Sequence, residues 1–333
     1  MPVDRDYRPL KNFIDKFPDV SGNEINGLGE TAVRQPSPFF WHPPNKQTHG
    51  ALQEEVIRYH RQSDAMREHF SPTPPGGRGP KPIQQAEATV KKSAEEWTTT
   101  IKELALQGEA ELVGVTRMDP LYVYEGYEIK EPWIVLVGVS MPYEEISQAP
   151  ASFENPTAGA IVGREYNRAA RVCRSLANFI LSRGYFAKAW PGPYASALSM
   201  MPAAIEAGLG TLGKHGSLIN ETYGSSFRLS AITTDMPLVS DKPKDIGAED
   251  FCLKCQVCVN ECPPAAISHE KQMVRGVSKY YVDFDKCIPY FGETLACGIC
   301  IAVCPWSRPG VGPSLSTKML RRRKDTEKAP DGA

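Results

Sequence analysis

The sequence predicts an α/β chain, with a body of alternating strands and helices followed by a compact cysteine-rich segment. Three observations carry this. Apolar runs rich in β-branched residues recur at Ala110–Thr116, Trp133–Ser140 and Phe227–Thr233, like buried strands. Between them, Glu165–Arg183 places Ala169, Val172, Cys173, Leu176, Phe179 and Ile180 at helical spacing. Eight of the nine cysteines fall between Cys252 and Cys304.

Residues 1–50, rich in Pro, Asn, Gly and aromatics as in PSPFFWHPPNK, predict an irregular wrapping arm. Ala51–Phe70 reads as helix, Ser71–Pro82 as a Pro/Gly loop, and Gln84–Gln107 as a second helix. Tyr185–Trp190 reads as a further strand and Met201–Ala207 as a short helix. The chain divides into an N-terminal arm with helices (1–104), an α/β domain (105–245), a cysteine domain (246–310) and a polar tail without structure (311–333).

The formal net charge of -1 gives no global pull toward DNA or an anionic membrane. The basic run Arg321–Lys324 lies in the polar tail and reads as a solvated end. No apolar run reaches the length of a membrane span, and the start MPVDRDYRPLKNF lacks an apolar signal core or an arginine pair. The expectation is a cytoplasmic protein, whose cysteines serve metal chemistry rather than disulfides.

The first cysteine run is Cys252-x-x-Cys255-x-x-Cys258-x-x-x-Cys262-Pro263. This is the bacterial ferredoxin spacing, in which three close thiolates hold one cubane and the fourth ligates the other. The second run, Cys287, Cys297, Cys300 and Cys304-Pro305, has a stretched first gap but keeps the final two-then-three spacing. Crossing the ligands gives two 4Fe-4S sets. One is Cys252, Cys255, Cys258 and Cys304; the other is Cys262, Cys287, Cys297 and Cys300. Structural zinc also takes four thiolates, but it pairs two short hooks rather than a run of four closed by Pro. Cys173, on an apolar helical face, reads as core.

Gly208-Leu-Gly210-Thr-Leu-Gly213 matches G-x-G-x-x-G, and Asp235 follows at a distance a dinucleotide site wants. The motif follows a helix-like stretch instead of a strand, so the plainer reading is a glycine turn that lets backbone pass close to something bulky. The histidines at 42, 49, 60, 69, 215 and 269 form no metal-binding pair, and no Asp-x-His-x-x-Gly corrinoid motif exists. Lys214 and His215 sit in the glycine-rich loop, where they could contact a ligand.

The stretches AGLGTLGKHGSLIN (207–220), FRLSAITTDMPL (227–238) and YVDFDKCIPYFGETLACGICIAVCPWS (281–307) resemble the cobalamin-dependent reductive dehalogenases and their relatives, the epoxyqueuosine reductases. The likeness covers roughly residues 105–307. It implies a nitroreductase-like α/β domain that holds cobalamin, followed by a ferredoxin-like two-cluster 4Fe-4S domain that reduces cobalt. Gly208, Gly210, Gly213, Lys214 and His215 would then lie where backbone approaches the cofactor.

The dehalogenase likeness also implies a tyrosine proton donor beside a cation, and chain order places these at Tyr166 and Arg228. A cation beside a phenol stabilises the phenolate and so eases proton donation. Tyr143, Tyr185 and Tyr194 are the fallbacks. The epoxyqueuosine branch uses an Asp just upstream of its glycine segment, and PGPYASALSMMPAAIEAGLG contains none. The expected function is therefore removal of halogen from a small aromatic or vinylic organohalide. A separate ferredoxin, flavodoxin or reductase would supply the electrons. The rivals are an epoxyqueuosine reductase acting on tRNA and an electron-transfer subunit without its own catalysis.

Overall fold

The computed structural model describes residues 6–39, 42–193 and 197–328. Among them are eight strands: β1 (Leu112–Arg117), β2 (Trp133–Ser140), β3 (Ala187–Trp190), β4 (Thr211–Leu212), β5 (Leu218–Ile219), β6 (Phe227–Thr234), β7 (Ile267–Val274) and β8 (Val277–Val282). The body is a four-stranded sheet in the order β1-β2-β6-β3, antiparallel throughout. Two hairpins, β4-β5 and β7-β8, stand apart from it.

The sheet is covered on both faces, so β2 is buried from Trp133 to Val139 and its sequence is a continuous apolar run. Successive side chains still alternate between faces. Val135 and Val137, with Val115 and Ile232, pack against Trp97 and Val172, which belong to the helices Ala94–Gln107 and Thr157–Ser182. Ile134, Leu136 and Ala231 pack on the other side against Ala203 and Ala204, from the helix Met200–Glu206. Cys173 lies in the first core, as its apolar position predicts.

Several boundaries differ from the expected ones for identifiable reasons. The helix read over 84–107 begins only at Ala94, because Ser93 and Glu96 form a capping box there. The preceding stretch is instead tied to the end of the long helix, with Ala86 N–H donating to Leu181 O and Val90 N–H to Arg183 O. The stretch 51–70 is two helices, Leu52–His60 and Asp64–His69, the second capped by Ser63. The helix read from Glu165 starts earlier, at Thr157.

The N-terminal arm is fastened to the cysteine segment. Asn23 Oδ1 accepts from Phe284 N–H at 2.7 Å and from the Tyr281 hydroxyl at 2.9 Å, and its Nδ2 donates to Asp283 at 3.0 Å. Leu28 bridges to Val274 at the end of β7. The polar tail corrects the expectation that it lacks structure, since Val311–Lys328 is a helix. Arg323 anchors it through Asp250 at 2.5 Å and through Asp245. These are long-range ion pairs that a local reading of tail composition does not contain. Among the described residues, no helix is long and apolar enough to cross a membrane.

Leu136 is fully buried and Leu106 is 52% exposed. We expect Leu136→Ala to destabilise the protein by about 2–5 kcal/mol and Leu106→Ala by no more than about 0.5 kcal/mol. Thermal melts of the two variants check this ranking, and equal melting temperatures would contradict the assigned core.

Candidate active site

The cysteines converge as two sets, crossed in sequence. Cys252, Cys255, Cys258 and Cys304 line one small chamber, together with Lys214, His215, Phe251 and Trp306. The helix Ala248–Lys254 ends as Cys255 turns extended, and the chain re-enters a helix at Val257. That break lets three closely spaced cysteines line one chamber, while Cys304 arrives just before the turn Pro305–Ser307. In the second set, Cys287 lies within electrostatic reach of Cys297 and Cys262, and Cys300 within reach of all three and also of Cys258 from the first set.

The buried thiols Cys252, Cys258, Cys304, Cys262, Cys287, Cys297 and Cys300 are poor anions unless something positive holds them. Burial, then the neighbouring Cys252, Cys304 and Cys255, pushes Cys258 up to about 12. Burial likewise pushes Cys304 up to about 12 and Cys297 up to about 11. Cys287 and Cys300 are driven up by burial first and by neighbouring thiols next, Cys297 and Cys262 for Cys287, and Cys297, Cys287, Cys258 and Cys262 for Cys300. A donor set of this kind suits a multivalent cationic centre bound by thiolates. Among the described residues, no three His, Cys, Asp or Glu side chains are grouped to hold a single metal ion.

Two glycines let the body touch these ligand loops. A β-carbon at Gly159, in the helix Thr157–Ser182, would collide with the Leu295 carbonyl. Leu295, Ala296 and Cys297 all have positive φ, followed by Gly298. Non-glycine residues enter this region only where the surroundings hold them there, and such strain gathers at functional sites. On the other set, Gly224 (φ +55) leaves no room for a β-carbon against the backbone of Trp306 and Ser307, and Ser225 N–H donates to Ser307 Oγ at 3.1 Å.

Beside Ala296, which precedes Cys297, lies an apolar cavity of ≈ 210 Å³, walled also by Val56, Met66, Phe70, Val162 and Phe291. A second cavity of ≈ 290 Å³ is bounded by Met200, Met201, Ser217, Leu218, Ser225 and Leu229. Tyr166, Pro193 and Arg228 line both. Tyr166 comes from the helix Thr157–Ser182 and Arg228 from β6. The guanidinium carbon is 5.6 Å from the centre of the Tyr166 ring, a cation over an aromatic face. Arg228 Nη1 donates to Phe227 O at 3.1 Å, whereas its buried Nε has no hydrogen-bond partner.

The structure thus brings Tyr166 and Arg228 together, though the cation faces the ring. The fallback tyrosines lie elsewhere: Tyr143 donates to Ala302 O at 3.3 Å and Tyr185 to Val90 O at 3.1 Å. Tyr194 lies outside the described residues.

The glycine-rich loop differs from its expected place at the cofactor cavity. Gly208, Gly210 and Gly213 line neither cavity. A β-carbon on each would meet the chain itself: Lys242 O at 2.6 Å, Ile219 O at 2.7 Å and the Ile219 side chain at 2.8 Å. Close approach of the chain's own backbone accounts for Gly208 and Gly210 and of the His215 and Ile219 side chains for Gly213, and the other arm of that hairpin, at Ser217 and Leu218, reaches the cavity instead. His215 is buried rather than a surface turn residue. Its Nδ1 accepts from Ser217 N–H and its Nε2 lies 3.1 Å from Ser225 Oγ, while burial pushes it down to about 4.

Sequence reasoning missed the wall contributed by the helices Leu52–His60 and Asp64–His69. His60, whose ring nitrogen lies 2.9 Å from Gly292 O, joins that wall to the cysteine segment. Its burial pushes it down to about 4. Helical periodicity marks an apolar face but does not say which partner covers it.

The 4Fe-4S dicluster domain family matches residues 251–307, the stretch that carries both cysteine sets. Tetrachloroethene reductive dehalogenase of Desulfitobacterium hafniense is 30% identical over 215 residues, covering 60% of this chain and 37% of the relative. The chain is related to the reductive dehalogenases. The tetrachloroethene reductive dehalogenase of Sulfurospirillum multivorans is 31% identical over 261 residues, covering 65% of this chain and 51% of the relative. Epoxyqueuosine reductase of Escherichia coli (strain K12) is 29% identical over 205 residues, covering 55% and 51%. A solved catabolic reductive dehalogenase, in complex with 3-bromo-4-hydroxybenzoic acid, superposes with a TM-score of 0.64 at 27% identity, covering 72% of this chain and 37% of that one. The chain spans 37% of the first dehalogenase relative and 51% of the second.

The contact of Gly159 with Leu295 makes a direct prediction. Gly159→Ala should displace the Leu295–Gly298 loop and lower the iron and sulfide taken up on anaerobic reconstitution, and it should lower the melting temperature. Wild-type iron content and stability in that variant would show that the loop does not depend on this approach.

Proposed function

We propose that the chain is a cobalamin- and iron–sulfur-dependent reductive dehalogenase, replacing carbon-bound halogen by hydrogen on a small aromatic or vinylic organohalide. The observation that carries the reading is the meeting of Tyr166 and Arg228 at the junction of two cavities, one walled by the ligand loop at Ala296. Two 4Fe-4S clusters would be held by the crossed sets, Cys252, Cys255, Cys258 and Cys304 in one and Cys262, Cys287, Cys297 and Cys300 in the other. The antiparallel sheet with its long covering helix suits a nitroreductase-like cobalamin-binding domain.

The lining of the second cavity suits contact with one part of cobalamin: Met200, Met201, Leu218 and Leu229 give apolar surface, and the unpartnered Arg228 Nε gives a buried donor. When bound, it supplies reduced cobalt, a strong reductant and nucleophile. The chain's own residues do the rest. The wall of Val56, Met66, Phe70 and Phe291 receives an apolar halide and excludes water. The net reaction consumes R–X, two electrons and one proton and yields R–H and halide. A separate low-potential electron carrier supplies the electrons. Tyr166 gives the proton to carbon, a step that a phenol makes reluctantly at neutral pH. The Arg228 guanidinium, charged at any working pH, stabilises the phenolate left behind.

The likeness to the Escherichia coli epoxyqueuosine reductase supports a second reading, reduction of epoxyqueuosine in tRNA. Among the described residues lining the two cavities there is a tyrosine and no aspartate, which favours the first.

Anaerobic reconstitution with iron, sulfide and cobalamin tests this, with halide release from aryl and vinyl halides measured beside an epoxyqueuosine-tRNA assay. Tyr166→Phe should keep its iron and cobalamin content and lose about 100-fold or more of halide release. Unchanged turnover in that variant would remove Tyr166 as the acid, and product from tRNA without halide release would overturn the dehalogenase reading.

A further inference from the structure

Lys214 is the most deeply buried charged side chain near the cysteines, at 1% exposure. Its Nζ has no hydrogen-bond partner. A buried ammonium without an acceptor is strongly unfavourable unless something nearby compensates its charge. The Tyr280 ring gives partial compensation, with Nζ 5.1 Å from its centre. The rest of its surroundings is the chamber of the first cysteine set, which Lys214 lines with Cys252, Cys255, Cys258 and Cys304. Its charge acts on the Cys252 and Cys258 thiolates against the effect of their burial, and its backbone N–H is directed at Cys252.

Other charges near this chamber offset one another. Lys271 lies on the same Tyr280 ring but is ion-paired with Glu249, a carboxylate that acts on Cys252. The second set has no such buried cation among the described residues. Lys286, which acts on Cys262, has a side chain 57% exposed and paired with Asp283 at 3.6 Å. The two sets therefore differ by one buried positive charge.

We propose that Lys214 sets the reduction potential of the cluster held by Cys252, Cys255, Cys258 and Cys304, raising it relative to a neutral neighbour. This rests on the reading above that the crossed sets hold 4Fe-4S clusters. Reduction adds one electron to a centre already made negative by four thiolates, and it breaks no bond. A fixed ammonium in a low-dielectric chamber stabilises the reduced state more than the oxidised one. Lys214 thus acts on where an electron rests between the two clusters, rather than on the substrate. The glycine-rich turn thus places the Lys214 side chain in the wall of the first set's chamber.

The test is an EPR-monitored redox titration of the anaerobically reconstituted full chain, with dithionite as reductant, for wild type, Lys214→Met and Lys214→Arg. Lys214→Met should lower the reduction equilibrium constant of one cluster by at least about tenfold, roughly 59 mV for one electron, and leave the other unchanged. Lys214→Arg should stay within about threefold of wild type, since it keeps the charge. Loading of the first cluster in the Arg variant but not in the Met variant would also support a requirement for charge. Unchanged potentials in Lys214→Met with full iron content would overturn the inference alone. Loss of the first cluster in both variants would overturn it in favour of a purely structural lysine. A wild-type chain that takes up no 4Fe-4S cluster would overturn both this inference and the reading it rests on.

Discussion

The interaction on which the rest of the structure depends is the convergence of buried thiols contributed by distant parts of the cysteine segment. Crowded together away from water, Cys258, Cys304, Cys287 and Cys300 resist ionisation, each opposed first by burial and then by its neighbours. Cys304 comes from the end of the segment to meet Cys252, Cys255 and Cys258, so the chain between them must close a long loop. The hairpin β7-β8 and the helix Phe284–Glu293 fill that loop, and the N-terminal arm clamps them through Asn23. A bound centre offsetting those charges couples ligand binding to the fold of the whole segment.

Contact between that segment and the α/β body combines side-chain packing, as of Leu295 and Ile301 on Ile146 and Ile161, with two close approaches at glycines. Gly159 and Gly224 admit Leu295 and Trp306 at distances no side chain allows, so each cysteine set has its own fixed attachment to the body. The same approach presents Ala296 to the cavity that Tyr166 and Arg228 overlook. The cysteine segment and the cavity wall are neighbours because glycines on the body let the Leu295 and Trp306 backbones approach there. The long helix Thr157–Ser182 carries both Gly159 and Tyr166, which fixes the tyrosine relative to the loop.

Much of this is legible in the sequence, and the rest is not for physical reasons. β1, β2 and β6 were readable because both faces of the sheet are covered, which leaves unbroken apolar runs. The cysteine segment is legible because the 4Fe-4S dicluster family it matches keeps a fixed local spacing of its cysteines. Chain order along a resemblance brought Tyr166 and Arg228 to one cavity wall. The contribution of His60, Met66 and Phe70 to that wall was hidden, because their periodicity does not name the surface they cover. The glycine-rich motif was misleading, because glycine signals close approach without telling whether a ligand or the chain's own Ile219 is approached. The tail helix depends on Asp245 and Asp250 pairing with Arg323 across a long stretch of sequence, and local composition cannot show that.

The crossed convergence is tested most directly by cluster-resolved EPR of reconstituted Cys252→Ser, Cys304→Ser and the double variant. Crossing predicts that both single variants perturb the same cluster signal, that the double variant does no more than either one, and that the other signal survives in all three. Loss of two different signals in the single variants, or of both in the double, would show that Cys252 and Cys304 serve separate clusters and would contradict the account.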